Sequence, residues 1–174
     1  TLLLLSCADQ VAREPVSRKS GSYINQSVQR NIDLIAEEEK HILKLIEKDT
    51  SRVYEASPNG FWYTYVQKDT LGNSSPKVGD LVLFNYDIAT LNSSPLVSKE
   101  EIGNTVTQID QSNQELISGI REGLKLMKVG ETVTFLLPSH KAYGYYGLDG
   151  KIRSNMPIKS TVTLLEIKDQ TKIN

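Results

Sequence analysis

Residues Leu116 to Gly147 read LISGIREGLKLMKVGETVTFLLPSHKAYGYYG, and this stretch decides the architecture. Ile120, Leu124 and Met127 recur at steps of four and three, the spacing of one face of a short helix. Ser118 is placed to cap that helix and Gly130 to end it. Val133, Phe135 and Leu137 then alternate, as a strand with one buried face requires. Pro138 and the run Ala142-Tyr143-Gly144 follow.

Working outward, the flanking segments read as further strands. Phe61-Trp62-Tyr63-Thr64-Tyr65-Val66 is rich in aromatic and β-branched residues. Gly72 to Pro76 is a loop by composition. From Gly79 to Ile88, the residues Val82, Phe84, Tyr86 and Ile88 alternate onto one face, and Val162, Leu164, Leu165 and Ile167 mark a closing strand. Several strands with a single short helix between the second and third imply an α+β domain over residues 51–174. In it an antiparallel sheet folds over one helix.

Upstream the pattern changes. Residues 23–50 carry Ile24, Val28, Ile32, Ile35, Ile42 and Ile46 at steps of three, four or seven, without Pro or Gly. That is the stripe of an amphipathic helix. Glu37, Glu38, Glu39, Lys40, Lys44 and Lys48 are expected on other faces, with Glu37 and Lys40 spaced to pair. The stripe, which breaks at Glu39, must cover something: the following domain, or the same stripe in a second copy, giving a homodimer through residues 23–49. Residues 8–22 mix charge, Pro, Ser and Gly without periodicity and read as a flexible tether. Before them, Thr1-Leu2-Leu3-Leu4-Leu5-Ser6-Cys7 is similar to the lipobox closing a bacterial lipoprotein signal peptide. In that reading Cys7 is lipidated and anchors the protein to a membrane of the bacterial cell envelope, facing the periplasm.

Composition narrows the chemistry. The 174 residues hold 20 basic and 21 acidic side chains, a balance that does not suit a nucleic-acid partner. Cys7 is the single cysteine, which excludes an intrachain disulfide and a cysteine-based zinc site. His41 and His140 lack metal-ligand spacing, and no phosphate loop, HExxH or GxSxG element occurs. No cofactor or metal is expected.

Three segments, in order, carry a resemblance. Leu116 to Gly147 resembles the signature of the FKBP-type peptidyl-prolyl isomerases: an apolar pair, Gly, a short helix, MKVGE, a strand, Pro, then AYG. VGDLVLFNYDIATL, from Val78 to Leu91, is similar to that family's second strand, and MPIKSTVTLLEIKD, from Met156 to Asp169, to its last. The order of lipid signal, helix and domain also resembles the gliding-motility-associated lipoprotein isomerases of Bacteroidetes.

The resemblance implies an enzyme that turns X-Pro bonds of polypeptides and assists the folding of exported proteins. It assigns a pocket in which Tyr86 forms a wall and the Ile117 N–H and Tyr143 hydroxyl hold substrate carbonyls. Leu96, Val97, Leu116, Ile120, Met156 and Leu164 would line it. By residue type alone each Leu, Ile, Val and Met here reads as ordinary core. Departures accompany the match. Ile120 stands where the family usually has a tryptophan floor, and Leu164 where it has phenylalanine. The family's Phe-Asp pair falls on Leu96 and Val97, so its aspartate is missing. A fold with such a pocket also suits a second role, that of a weakly active or inactive binding module in envelope assembly.

Overall fold

The computed structural model describes residues 20–69, 74–110 and 115–168, with side chains from Ile24 onward. Cys7, tether residues 8–19, Gly72 and Asn73 lie outside the described residues; residues 20–22, expected to end the tether, instead form the start of the first helix. The chain divides into two compact units, Thr1–Asp33 and Leu34–Asn174. The boundary falls inside the first helix, α1 (Ser20–Lys48). In the first unit Ile24, Val28 and Ile32 are 62%, 52% and 53% exposed, and Gln29 hydrogen-bonds Asp33 at 2.8 Å. In the second unit Ile42 is completely buried and Ile35 and Ile46 are half-buried. Glu38, expected on a solvent face, is instead buried at 6% exposure. It lies four residues before Ile42, so one helical face carries both. No ion pair joins Glu37 to Lys40 among the described residues.

The second unit continues with β1 (Glu55–Ser57), β2 (Phe61–Gln67), β3 (Leu81–Tyr86), β4 (Ile88–Thr90), β5 (Pro95–Val97), α2 (Lys99–Ile102) and β6 (Thr105–Gln108). Then come α3 (Ser118–Leu124), β7 (Thr132–Leu137), a 3-10 turn over Ser139–Lys141 and β8 (Ile158–Lys168). The strands form one antiparallel sheet in the order β1-β2-β7-β8-β3-β6, with β4 pairing both β5 and β8. This is the expected α+β fold, with α3 laid on one face.

Two glycines bring α3 onto β7. A Cβ at Gly123 would stand 2.6 Å from the Phe135 ring, and one at Gly119 would stand 2.7 Å from Leu137. Ile120, Leu124 and Met127 therefore sink to zero exposure beside Phe61, Phe84, Phe135 and Leu164. Such burial is worth about 1.5–3 kcal/mol for each large side chain.

Four local expectations are corrected. Ile117, not Ser118, is the N-cap of α3, and no side chain caps it; the Ser118 hydroxyl reaches instead toward the Lys141 carbonyl at 3.5 Å. The helix ends at Leu124, while Gly130, at φ +88°, shapes the turn into β7 and donates its N–H to Leu164 O. The strand expected through Ile88 breaks at Asp87, whose carboxylate accepts the Thr161 N–H at 2.8 Å. A further helix, α2, precedes α3; it is one turn long, with the Ser98 hydroxyl capping Glu101 N–H.

No helix among the described residues is long and apolar enough to cross a membrane. Among them no group of three His, Cys, Asp or Glu side chains could hold a metal ion.

Candidate functional site

The nine residues singled out for a pocket come from six places in the chain and converge on one apolar cluster. Val97, Ile120 and Leu164 lie inside it, at 6%, 0% and 0% exposure. Tyr86, Leu96, Leu116, Ile117, Tyr143 and Met156 are partly buried and pack against it. The arrangement is a closed apolar floor under a half-open rim. The sheet explains how it arises: Tyr86 ends β3 beside Val162, and Leu164 sits two residues farther along β8 opposite Phe84. The register slips by one residue there, so Leu165 is skipped; Leu164 faces the core and Leu165 solvent.

On the rim, Tyr86 stacks on Phe84 with ring centroids 5.7 Å apart. Burial raises the pKa of its phenol. Tyr143 is pushed up to about 12, first by burial and then by the nearby Tyr86. Neither hydroxyl has a hydrogen-bond partner among the described residues. Both phenols are thus neutral at pH 7, with their protons available to a ligand. Ile117 holds extended angles (φ −57°, ψ 143°) just ahead of α3, and among the described residues its N–H is also without a partner. An apolar floor with unpaired donors at its edge can take up a peptide's apolar ring and hold its carbonyls.

Tyr143 and Met156 are joined through backbone. Gly144 O accepts the Asn155 N–H at 2.7 Å, drawing the loop that carries Met156 against the turn that carries Tyr143. Gly144 and Gly147 have φ +57° and +66°, a region that side chains disfavour. At Gly147 a Cβ would also collide with the Ile152 carbonyl. The glycines of AYGYYG are therefore requirements of this backbone.

Val97 pairs with Ile88 across β4 and β5 and is buried. The position where an aspartate was expected to be missing holds an apolar side chain, and Asp87, one residue past Tyr86, is committed to Thr161. A recess of about 380 Å³ adjoins the rim, lined by Tyr86, Leu116, Thr105, Thr107 and Glu115 as well as Val106. Thr105, Thr107 and Glu115 are site neighbours that sequence reasoning missed. The alternation Thr105-Val106-Thr107 gave no usable signal, since it would place Val106 in the core, and Val106 is 61% exposed.

A sheet curled over one short helix, with two phenols above an apolar floor, defines a domain of the FKBP class. The chain belongs to the family described as FKBP-type peptidyl-prolyl cis-trans isomerase, whose model matches residues 72–165. It is 30% identical over 121 residues to the FKBP-type peptidyl-prolyl cis-trans isomerase FkpA of Escherichia coli K12, covering 68% of this chain and 42% of that protein. It is 32% identical over 91 residues to human peptidyl-prolyl cis-trans isomerase FKBP9, covering 52% of this chain and 16% of that protein. It therefore spans less than half the length of these relatives. The crystal structure of FkpA from Escherichia coli superposes with a TM-score of 0.61 at 25% identity, over 87% of this chain and 75% of that one. A Pseudomonas syringae isomerase structure, 18% identical, shares the fold at a TM-score of 0.59 over 77% and 96%.

Proposed function

We propose that this chain isomerises X-Pro bonds in the floor-and-rim site and assists the folding of exported proteins. The observation that carries the reading is the convergence of all nine residues on one cluster, with Ile120 and Leu164 sealed from solvent beneath two unpaired phenols. Rotation about the X-Pro bond crosses a barrier of roughly 18–20 kcal/mol because twisting sacrifices amide resonance. No bond forms or breaks, so neither nucleophile nor metal has a task. A twisted amide is less polar than a planar one, and a water-poor apolar floor therefore favours the transition state. The Ile117 N–H and the Tyr143 O–H hold flanking carbonyls while Tyr86 forms a wall. Leu96, Leu116 and Met156 close the rim, and Val97 extends the floor.

Proteolysis coupled to a prolyl tetrapeptide measures the activity directly. Turnover above the uncatalysed rate is expected. A wild-type protein that never exceeds that rate on any prolyl peptide overturns the enzyme reading and leaves a binding module of the same fold.

The setting is proposed on separate grounds. The leucine run before Cys7 supports a lipid anchor in the cell envelope, and the gliding-motility likeness rests on domain order and on the AYGYYG run from Ala142 to Gly147. Full-length protein should partition into detergent and the Cys7→Ser form should not; if both stay aqueous, the anchor is wrong. The exposed row Ile24, Val28 and Ile32 supports pairing with a second copy of the chain.

A further inference from the structure

Glu38 is a buried acid remote in sequence from every rim residue. Its Oε2 accepts the Ser139 N–H at 2.7 Å, across 101 positions of sequence. Its Oε1 is buried without a partner among the described residues. Both ends of this bond lie in the unit that begins at Leu34. Ser139 opens the 3-10 turn, so the carboxylate satisfies a backbone donor that the turn itself leaves over. The Ser139 carbonyl in turn accepts the N–H groups of Ala142 at 3.0 Å and Gly144 at 2.8 Å, the two residues flanking Tyr143. Gly144 O then holds Asn155, next to Met156. One line of hydrogen bonds runs from the side of α1 to both arms of the rim.

A buried carboxylate with one unpaired oxygen is costly. An apolar residue at position 38 would attach α1 to the domain at lower cost, since Ile42 is already fully buried. What an apolar residue cannot supply is the acceptor for Ser139. We infer that Glu38 is a positioning residue: it fixes the turn that aims the Tyr143 hydroxyl, and through Gly144 the loop carrying Met156. The inference rests on the reading of Tyr143 as a peptide-contacting residue.

A double-mutant cycle on prolyl-peptide turnover tests it, with Glu38→Met, Glu38→Gln, Tyr143→Phe and the double variant Glu38→Met/Tyr143→Phe. Methionine keeps the volume and removes the acceptor; glutamine keeps an acceptor oxygen. Glu38→Met should fold and melt near wild type yet lose about two- to tenfold in kcat/KM, the span of one orienting hydrogen bond. Glu38→Gln should recover most of that loss. In the Tyr143→Phe background Glu38→Met should cost clearly less than it does in wild type, because the Tyr143 contact is already gone and only the path through Gly144 to Met156 remains. In 13C-tyrosine spectra Glu38→Met should shift the Tyr143 signal and spare that of Tyr86. Losses that multiply in the double variant, or unchanged kcat/KM in Glu38→Met, overturn the inference while the site reading stands. A silent Tyr143→Phe overturns the site reading and the inference together. Should the methionine variant not fold, Glu38→Ala takes its place in the same cycle.

Discussion

Tyr86 and Tyr143 pack against the same apolar cluster, near enough that a charge on Tyr86 makes Tyr143 harder to ionise. They come from the two strands that flank β8. Tyr86 is fixed by its stack on Phe84 at the end of β3, and Tyr143 by the turn after β7. Both are half-buried over the same apolar floor, and neither hydroxyl has a hydrogen-bond partner among the described residues.

This pairing sets a pH dependence. Tyr143 is raised to about 12, by burial first and Tyr86 second, and Tyr86 is raised by burial. A phenol raised in the folded state contributes stability that is complete below the unfolded value of about 10. That stability is lost as pH climbs from there through the folded value. Turnover should be flat from neutral pH to about 10, because the hydroxyls keep their protons. Absorbance titration should show Tyr143 ionising late, and its signal should vanish in Tyr143→Phe. A tyrosine-dependent fall in rate between about pH 7 and 9 would contradict the geometry, since no unperturbed phenol titrates there.

Substitution separates the rim from the floor. Tyr143→Phe removes one orienting hydrogen bond, worth about 0.5–1.5 kcal/mol, so kcat/KM should fall modestly with the fold intact. Ile120 is at zero exposure, and Ile120→Asp places a charge where no described cation can meet it. Rate should then collapse with stability, as water follows the charge into the floor. Circular dichroism run beside the rates distinguishes an unfolded variant from a wet one. If Ile120→Asp stays folded and turns over as wild type does, the floor plays no part.

What was legible in the sequence follows period and length. The long strands show themselves because Val82, Phe84, Val133 and Phe135 alternate over enough residues to be read, and all four are buried. The strands β1, β4 and β5 have three residues each, too few for any period; β1 and β5 pair with strands close by in the chain, and only β4 also reaches a distant one, β8. The site residues were legible only through the motif, since Ile120 and Leu164 differ in no local way from Leu124 or Val162. Glu38 was misplaced for the opposite reason. An acid between two other acids reads as solvated, and its burial depends on Ser139, which no local pattern can reveal.

The first unit offers its own test. Ile24, Val28 and Ile32 repeat every fourth residue and each is more than half exposed. If they meet the same row in a second chain, sedimentation should find two chains and Val28→Glu should give monomers. The isomerase domain should melt unchanged in that variant, because Val28 lies before Leu34, where the second unit begins. A wild-type monomer at high concentration would rule the seam out.

The last prediction sets packing against helix propensity at two glycines of α3. Ala is favoured over Gly in a helix by about 1 kcal/mol, so a helix free of neighbours would gain from either change. Neither glycine is free. At Gly123 the new methyl would meet the Phe135 ring at 2.6 Å, and that ring is completely buried and held edge-on by Phe61 at 5.8 Å. Overpacking of this kind costs about 1–3 kcal/mol, which outweighs the propensity gain. At Gly119 the methyl would meet Leu137 at 2.7 Å and also the Lys141 carbonyl at 2.9 Å, a backbone atom that cannot rotate aside. Lys141 lies two residues before Tyr143, so relief there must move α3 away from the rim. Gly123→Ala should therefore lower the melting temperature with kcat/KM nearly kept in the folded fraction. Gly119→Ala should lower kcat/KM more than its melting temperature suggests. Thermal melts and prolyl-peptide turnover on both variants decide it, and a Gly123→Ala protein that melts above wild type would show that α3 does not rest on Phe135.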